Sequence, residues 1–252
     1  MPEGRAGERG VPYLQMNDGN QIPQLGLGVF QVGPDETERV VSEAFEVGYR
    51  HVDTAQMYHN ESGVGAAIAS SGLGRSEIFI TSKLANGNHE PKDAGESIEG
   101  SLAAMSLDYI DLFLIHWPMP TKYDGAFERT WEVLVEQREA GRLRSIGLSN
   151  FESSHLDRIA ANSSVAPAVD QIEAHPYFAQ DQLREDCSRR GVLVEAWAPI
   201  AQGRVLQDPA ILAVARQTSR SAAQVVLRWH VQRGDIVFPK ASSRAHMEEN
   251  IT

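Results

Sequence analysis

The feature that most constrains this chain is a junction that recurs five times. An amphipathic segment ends in glycine, and a short run rich in β-branched and aromatic residues follows. It occurs in EVGYRHVDT, SSGLGRSEIFI, EAGRLRSIGLS, RRGVLVEAW and QRGDIVFPK, at Gly48, Gly72, Gly141, Gly191 and Gly234. Glycine closes a helix because it accepts the left-handed conformation, so each junction predicts a helix end and a strand start. The helical segments have the right period: Val40, Ala44 and Val47 share a face of the first, and Ala222, Val225, Val226 and Trp229 mark the expected buried side of a late one. In order, the strands read LGLGVFQ, RHVDTA, IFITSK, DLFLIH, RSIGLS, AVDQIE, LVEAWA and IVFPK.

Eight strands alternating with helices predict an α/β fold, a closed (β/α)8 TIM barrel rather than an open doubly wound sheet. The 252 residues suit one well-buried domain and are short for two. No GxGxxG opens a helix after a strand, which removes the main Rossmann fingerprint. Asp18-Gly19 between short apolar runs predicts an N-terminal β-hairpin. Residues 13–252 are therefore expected to form a single barrel domain. Residues 1–12, which include the polar MPEGRAGERG, are expected to be a flexible tail with no signal-peptide core. The last helix begins at SRAHMEENIT and the chain stops there, so either the eighth strand is left partly uncovered or the sequence is shortened.

A net charge of −11 argues against binding to nucleic acid or anionic membranes. No apolar run is long enough to cross a bilayer. Cys187 is the only cysteine, which excludes an internal disulfide and suggests a reducing cytoplasm. It lies in the helical stretch DQLREDCSRRG without a local His partner and is expected to be an inert thiol.

In such a barrel the working face is the carboxyl end of the strands. Asp53, Lys83 and His116 all end strands there, with Tyr58 on the loop beyond Asp53. If the strands are neighbours about 4.8 Å apart, an Asp, a Lys and a His meet beneath one Tyr. A phenol titrates near ~10 in water, and an adjacent ammonium is expected to lower that value, with Asp53 holding the Lys charged. Ser149, Asn150, Gln171, Trp197 and Lys240 fall on the same face.

Other readings are available for these residues taken singly. Lys83 and Asp53 also suit a structural ion pair, and Lys83 at a strand end suits a Schiff-base aldolase. His51 and Asp53 share a strand face as two metal ligands do, but the first strand offers no further ligand and Lys83 repels a cation, so no metal is expected. His51, His59, His89, His155, His175 and His230 read as structural or solvated, and Trp229 as helix packing.

The stretches GYRHVDTAQMYHNESGVG, LIHWP, SIGLSNF, VDQIEAHPY and VFPK, in this order, make the chain resemble the aldo-keto reductase family, and within it the bacterial branch that includes the 2,5-diketo-gluconate reductases. The resemblance runs from the NDGN hairpin to Asn250. It implies NAD(P)H-dependent reduction of aldehydes, ketones or diketo sugars, with Tyr58 as proton donor, Asp53 and Lys83 tuning it, and His116 orienting the carbonyl. It also implies that Ser149, Asn150 and Gln171 hold the nicotinamide carboxamide and that Trp197 stacks on the ring. Lys240 would meet the 2′-phosphate of NADPH, with Ser242, Arg244 and Asn250 completing the cofactor set. Phe30, Met57, Trp117 and Phe151 would form the substrate wall.

Departures from the family pattern carry their own expectations. Ala85 replaces a bulky Trp, which implies a wider pocket. Ala241 and His246 replace a Ser and an Arg on the phosphate, which implies a modest NADPH preference with NADH also accepted. The family's usual C-terminal segment is not matched. The resemblance also leaves a catalytically weak cofactor-binding or sensing protein as the non-enzyme alternative. A small-molecule substrate and a monomer are expected.

Overall fold

The structure, a computed structural model, describes residues 10–252. Residues 1–9 of the expected tail lie outside the described residues. Its last part belongs to the fold: Val11 packs against the core, and the Pro12 carbonyl accepts from the Gln24 N–H at 2.8 Å.

The hairpin forms as expected. β1 (Tyr13–Gln15) pairs antiparallel with β2 (Gln21–Pro23), and Gly19 takes a φ of 89° in the turn. Met16 and Ile22 pack with Phe79, Leu112, Leu114 and Ile236, so the hairpin stops the amino-terminal end of the strands with apolar side chains.

The main sheet has eight parallel strands in sequence order. They are β3 (Leu27–Gly28), β4 (His51–Asp53), β5 (Phe79–Leu84), β6 (Ile110–Ile115), β7 (Leu143–Ser149), β8 (Val169–Glu173), β9 (Leu193–Trp197) and β10 (Ile236–Val237). A parallel bridge between Leu25 and Val237 joins the first strand to the last. Gly26 N–H donates to the Val237 carbonyl at 2.8 Å, and Val237 N–H to the Gln24 carbonyl at 2.9 Å. The sheet is thus closed into a barrel. The first and last strands are shorter than the runs LGLGVFQ and IVFPK suggest, because the chains meet at a tight seam. A Cβ on Gly28 would lie 2.6 Å from the Phe238 carbonyl oxygen.

Around the barrel lie α1 (Pro34–Val47), α2 (Glu61–Ser70), α3 (Pro91–Met105), α4 (Phe127–Glu139), α5 (Ser153–Asn162), α6 (Asp181–Arg189), α7 (Pro209–Thr218), α8 (Ala222–Gln232) and α9 (Arg244–Ile251). All five junction glycines have positive φ, from 70° at Gly72 and Gly191 to 116° at Gly48. Val40, Ala44 and Val47 are buried on α1 as its period requires. On α8 the buried stripe is turned from the expected one. Val226, Leu227 and His230 are inside, while Ala222, Val225 and Trp229 are only half-buried. The reason is polar: His230 Nδ1 lies 2.8 Å from Asp235 Oδ2, and the Arg233 guanidinium covers the Trp229 ring at 4.4 Å. The eighth strand is followed by α9, which packs against both α1 and α8. Tyr49 OH donates to the Met247 carbonyl at 3.1 Å there.

Where α2 crosses the end of α3, a Cβ on Gly65 would sit 2.4 Å from the Met105 carbonyl oxygen and 2.6 Å from its Cα. Backbone cannot yield as a side-chain tip can. Gly65→Ala is therefore expected to destabilise the fold by about 1–3 kcal/mol, seen as a lower Tm with cofactor-independent thermal unfolding.

Candidate active site

The site is built where β4, β5 and β6 end. Their parallel register puts Thr81 against Asp53 and Lys83 against Leu114, so Lys83 lies two residues further along β5 on the same face as Thr81, within reach of Asp53. Lys83 is completely buried. Its Nζ donates to Asp53 Oδ1 at 2.7 Å, Asp53 Oδ2 at 2.9 Å and the Thr54 carbonyl at 2.9 Å, and lies 3.5 Å from Tyr58 OH. Tyr58 ends a 3-10 turn, Gln56–Tyr58, directly after β4. That turn is pinned by Gln56: its Oε1 accepts from Ala85 N–H at 2.7 Å, and its Nε2 donates to the Ser97 carbonyl and Ser101 Oγ, both at 3.0 Å. The phenol position is thus fixed from β5 and α3 as well as from its own strand. His116 stands edge-on to the Tyr58 ring, centroids 5.9 Å apart.

The ionisation of these groups follows from burial. Desolvation raises the Tyr58 phenol above its ordinary value, and the opposing pull of the Lys83 ammonium does not overcome it. The expectation that Lys83 brings the phenol below its solution value is therefore corrected for the free protein. Burial weakens the phenolate more than one partly neutralised ammonium can restore. Burial pulls the Lys83 ammonium down, but Asp53 and Tyr58 outweigh it and hold it above the usual value. Burial likewise raises Asp53 against the pull of Lys83. His116 is pushed down to about 3 by burial and by Lys83, so its imidazole is neutral.

Above this group opens a cavity of about 610 Å³. Tyr58 and His116 line it, with Phe30, Met57 and Trp117 as an exposed apolar rim. Phe151, expected on the same wall, is not there. It is fully buried, with its ring edge-on to Phe127 at 5.1 Å and His155 at 5.7 Å, because the strand end turns it outward against α4 and α5. Ala85 does not line the cavity either; its backbone N–H is spent on Gln56.

Ser149, Asn150, Gln171 and Trp197 do line it, and they are tied to one another. Asn150 sits at φ 62°, with its amide donating to the His116 carbonyl and to Ser149 Oγ, both at 3.0 Å. Its Oδ1 accepts from Trp197 Nε1 at 2.9 Å, which fixes the indole plane. Ser149 Oγ donates to the Gln171 carbonyl at 2.9 Å. Gln171 Nε2 donates inward twice, to Asp53 Oδ2 and to Glu195 Oε2, each at 2.8 Å.

Lys240 lies on the cavity wall, with Nζ donating to the Gln31 carbonyl at 3.1 Å. Ser242, Arg244 and Asn250 are not among the lining residues. Arg244 is paired with Glu46 at 2.7 Å and Glu248 at 3.0 Å, and Ser242 and His246 are exposed nearby. Ala241 is buried.

Among the buried carboxyl groups that escaped the sequence reading are Glu195 and Asp170. Glu195, in LVEAW, points into the barrel, and burial pushes it up to about 8. Asp170, in AVDQIE, points the other way, and burial pushes it up to about 8 as well. For Glu195 the available signal was a lone acid within an otherwise apolar strand; Asp170 shares its strand with Gln171 and Glu173 and gave no such signal. A carboxyl raised in the fold from an ordinary value near ~4 contributes stability that is complete below the lower value and is lost as pH rises toward the upper one. Asp170→Asn is thus expected to raise Tm more at pH 8 than at pH 5. An equal change at both would mean that Asp170 is ionised in the native state at neutral pH.

Elsewhere, His51 is buried, depressed to about 3, and bonded to Thr81 Oγ1 at 3.0 Å; no metal-holding cluster occurs among the described residues. Burial pushes the Cys187 thiol up to about 12, in keeping with an inert role.

Compared with known proteins, residues 24–252 match the aldo/keto reductase family. An aldo-keto reductase of Mycobacterium sp. (strain KMS) is 45% identical over 96% of this chain and 87% of its own length. Methylglyoxal reductase DkgA of Yersinia pestis is 45% identical over 95% and 86%. Among solved structures, an aldo/keto reductase from Brucella melitensis superposes with a TM-score of 0.91 at 45% identity, covering 95% of this chain and 92% of that one. A Bombyx mori aldo-keto reductase in complex with NADP gives 0.89 at 35% identity, covering 96% and 87%.

Proposed function

The chain belongs to the aldo/keto reductase family and is an NADPH-dependent carbonyl reductase, and on that premise we propose that Tyr58 protonates the substrate oxygen as aldehydes, ketones or diketo sugars become alcohols. The observation that carries this reading is the buried Asp53–Lys83 pair set 3.5 Å beneath the Tyr58 hydroxyl, at the floor of the cavity.

NADPH, when bound, supplies the hydride. The residues present suit it: the fixed Trp197 ring offers a flat apolar face on the same cavity wall as the Lys240 ammonium. Ser149, Asn150 and Gln171 are proposed to hold the nicotinamide end. Tyr58 keeps its proton at neutral pH because burial raises it, which suits a general acid. Lys83 then stabilises the phenolate left when that proton is given. Neutral His116 donates an uncharged N–H toward the carbonyl oxygen and does not compete with Tyr58 as an acid. Phe30, Met57 and Trp117 present an apolar rim to the substrate.

For the 2′-phosphate, Lys240 is the proposed main partner. Arg244 would have to leave two carboxylates to assist, and Ser242 and Asn250 are proposed only as outer contributors. A well-formed charge-assisted hydrogen bond contributes about 1.5–3 kcal/mol, an exposed ion pair about 0–1 kcal/mol. A modest NADPH preference with measurable NADH turnover follows. Loss of NADPH absorbance on adding a reactive aldehyde tests the activity. Lys240→Met should lower kcat/KM for NADPH by roughly tenfold and leave NADH nearly unchanged; equal losses with both cofactors would remove Lys240 from the phosphate site.

No helix among the described residues is long and apolar enough to cross a membrane. The protein is proposed to act as a monomer. The single buried cysteine supports a reducing cytoplasm.

A further inference from the structure

Behind the Asp53–Lys83 pair the barrel interior holds more acid than base. Gln171 Nε2 bridges two carboxyl groups, Asp53 and Glu195, at 2.8 Å each. Glu195 is wholly buried on β9, and its second oxygen, Oε1, has no hydrogen-bond partner. The groups facing it are few. From β4 come Asp53 and His51, whose Nε2 is 3.8 Å from Glu195 Oε1; from β5 comes Lys83; from β8 comes the uncharged Gln171 amide; and β10 places Ile236 beside it in register. His51 is uncharged, since burial depresses it. One ammonium therefore faces two carboxyl groups in a water-poor interior, where two unbalanced negative charges are strongly disfavoured.

We propose that Asp53 and Glu195 hold one proton between them across the bridging Gln171 amide, and that the charge created when this proton leaves for solvent sets how firmly Tyr58 holds its own. This rests on the reading of Tyr58 as the proton donor. While the proton is kept, Lys83 faces a single negative charge and the buried set is neutral. When it is lost, the set becomes anionic. A phenolate then forms less readily at Tyr58, because Lys83 must balance two carboxylates as well as the developing phenolate. Glu195 is thus a positioning residue that acts through Asp53, Gln171 and Lys83. Burial, with Asp53 adding to it, raises Glu195 to about 8, which puts the loss of the proton just above neutral pH. Its consequence is directional. It keeps Tyr58 an acid at mildly alkaline pH, preserving carbonyl reduction, and it holds back alcohol oxidation, which needs Tyr58 as the base.

The test is Glu195→Gln, which retains an acceptor for Gln171 Nε2 but cannot ionise. The pH profiles of kcat for reduction and for oxidation of the corresponding alcohol are compared with wild type. The alkaline fall in reduction and the rise in oxidation are both expected to move to lower pH, by on the order of one pH unit. Unmoved profiles in a folded, cofactor-binding variant overturn the proposal. Should Glu195→Gln not fold, the wild-type enzyme labelled with 13C at glutamate carboxyls is titrated by NMR. Glu61, the other buried glutamate among the described residues, is also raised by burial, so a glutamate that titrates above pH 7 and is still present in Glu61→Gln supports it; the lack of any such glutamate overturns it. That titration does not depend on the chemistry of Tyr58, so an active Tyr58→Phe enzyme would refute the donor assignment separately.

Discussion

Tyr58→Phe is expected to lower kcat for carbonyl reduction by roughly 10² to 10⁴, the usual worth of a placed general acid, while the Kd for NADPH stays nearly the same. The substitution removes one oxygen. The ring can keep its contacts with Phe30 and His116, whose centroids lie 5.0 and 5.9 Å away, so the cavity wall is retained. What disappears is the only hydroxyl, among the described residues, within hydrogen-bond reach of Lys83 Nζ at the cavity floor. The pH profile gives a second check. Wild-type reduction should fall as pH rises through the raised value of the phenol, whereas residual turnover in Tyr58→Phe should lack that limb. Stopped-flow turnover with a reactive aldehyde, together with fluorescence titration of NADPH, separates the two effects. Near-full activity in the Phe variant would assign the proton to another group.

Lys83→Met is expected to damage both activity and stability, which distinguishes it from Tyr58→Phe. Methionine fills similar space but leaves Asp53 buried and unpaired, and breaking such a pair typically costs about 3–5 kcal/mol. For a domain of this size that corresponds to a fall in Tm of about 6–20 °C. The loss should deepen with pH. An unpaired buried carboxyl has its folded value raised, so its stability contribution is present in acid and disappears as pH rises toward that value. Adding Asp53→Asn to Lys83→Met removes the stranded charge. The double variant should recover much of the Tm, yet remain inactive because nothing then stabilises the phenolate. Recovery of turnover along with Tm would make the pair structural only.

The order and number of strands were legible because they rest on local chemistry. Gly48, Gly72, Gly141, Gly191 and Gly234 each had to close a helix, and the runs between them had to be buried. Asp53, Lys83 and His116 were legible as a group because strand alternation and parallel pairing convert sequence position into height within a barrel. Phe151 was misplaced for a related reason. One residue past a strand end the alternation no longer holds, and Asn150 at φ 62° redirects the chain. Trp229 is only half-buried because hydrophobic period alone does not register that Asp235 can satisfy a buried imidazole at His230.

What the sequence determined by itself was therefore the set of elements, the hairpin, the barrel and the four residues at its floor. Only the tertiary structure decided their ionisation. The sign of the shift at Tyr58 depends on how much water is excluded against how close one ammonium lies, and both are properties of the closed interior. The same holds for Glu195 and Asp170, buried strand acids whose opposite facings and missing counter-charges exist only once the sheet has rolled up. Arg244, expected near a phosphate, is held instead by Glu46 and Glu248. One of those carboxylates lies on α1, almost the whole chain away, and long-range electrostatics of that kind is fixed by packing rather than by local pattern.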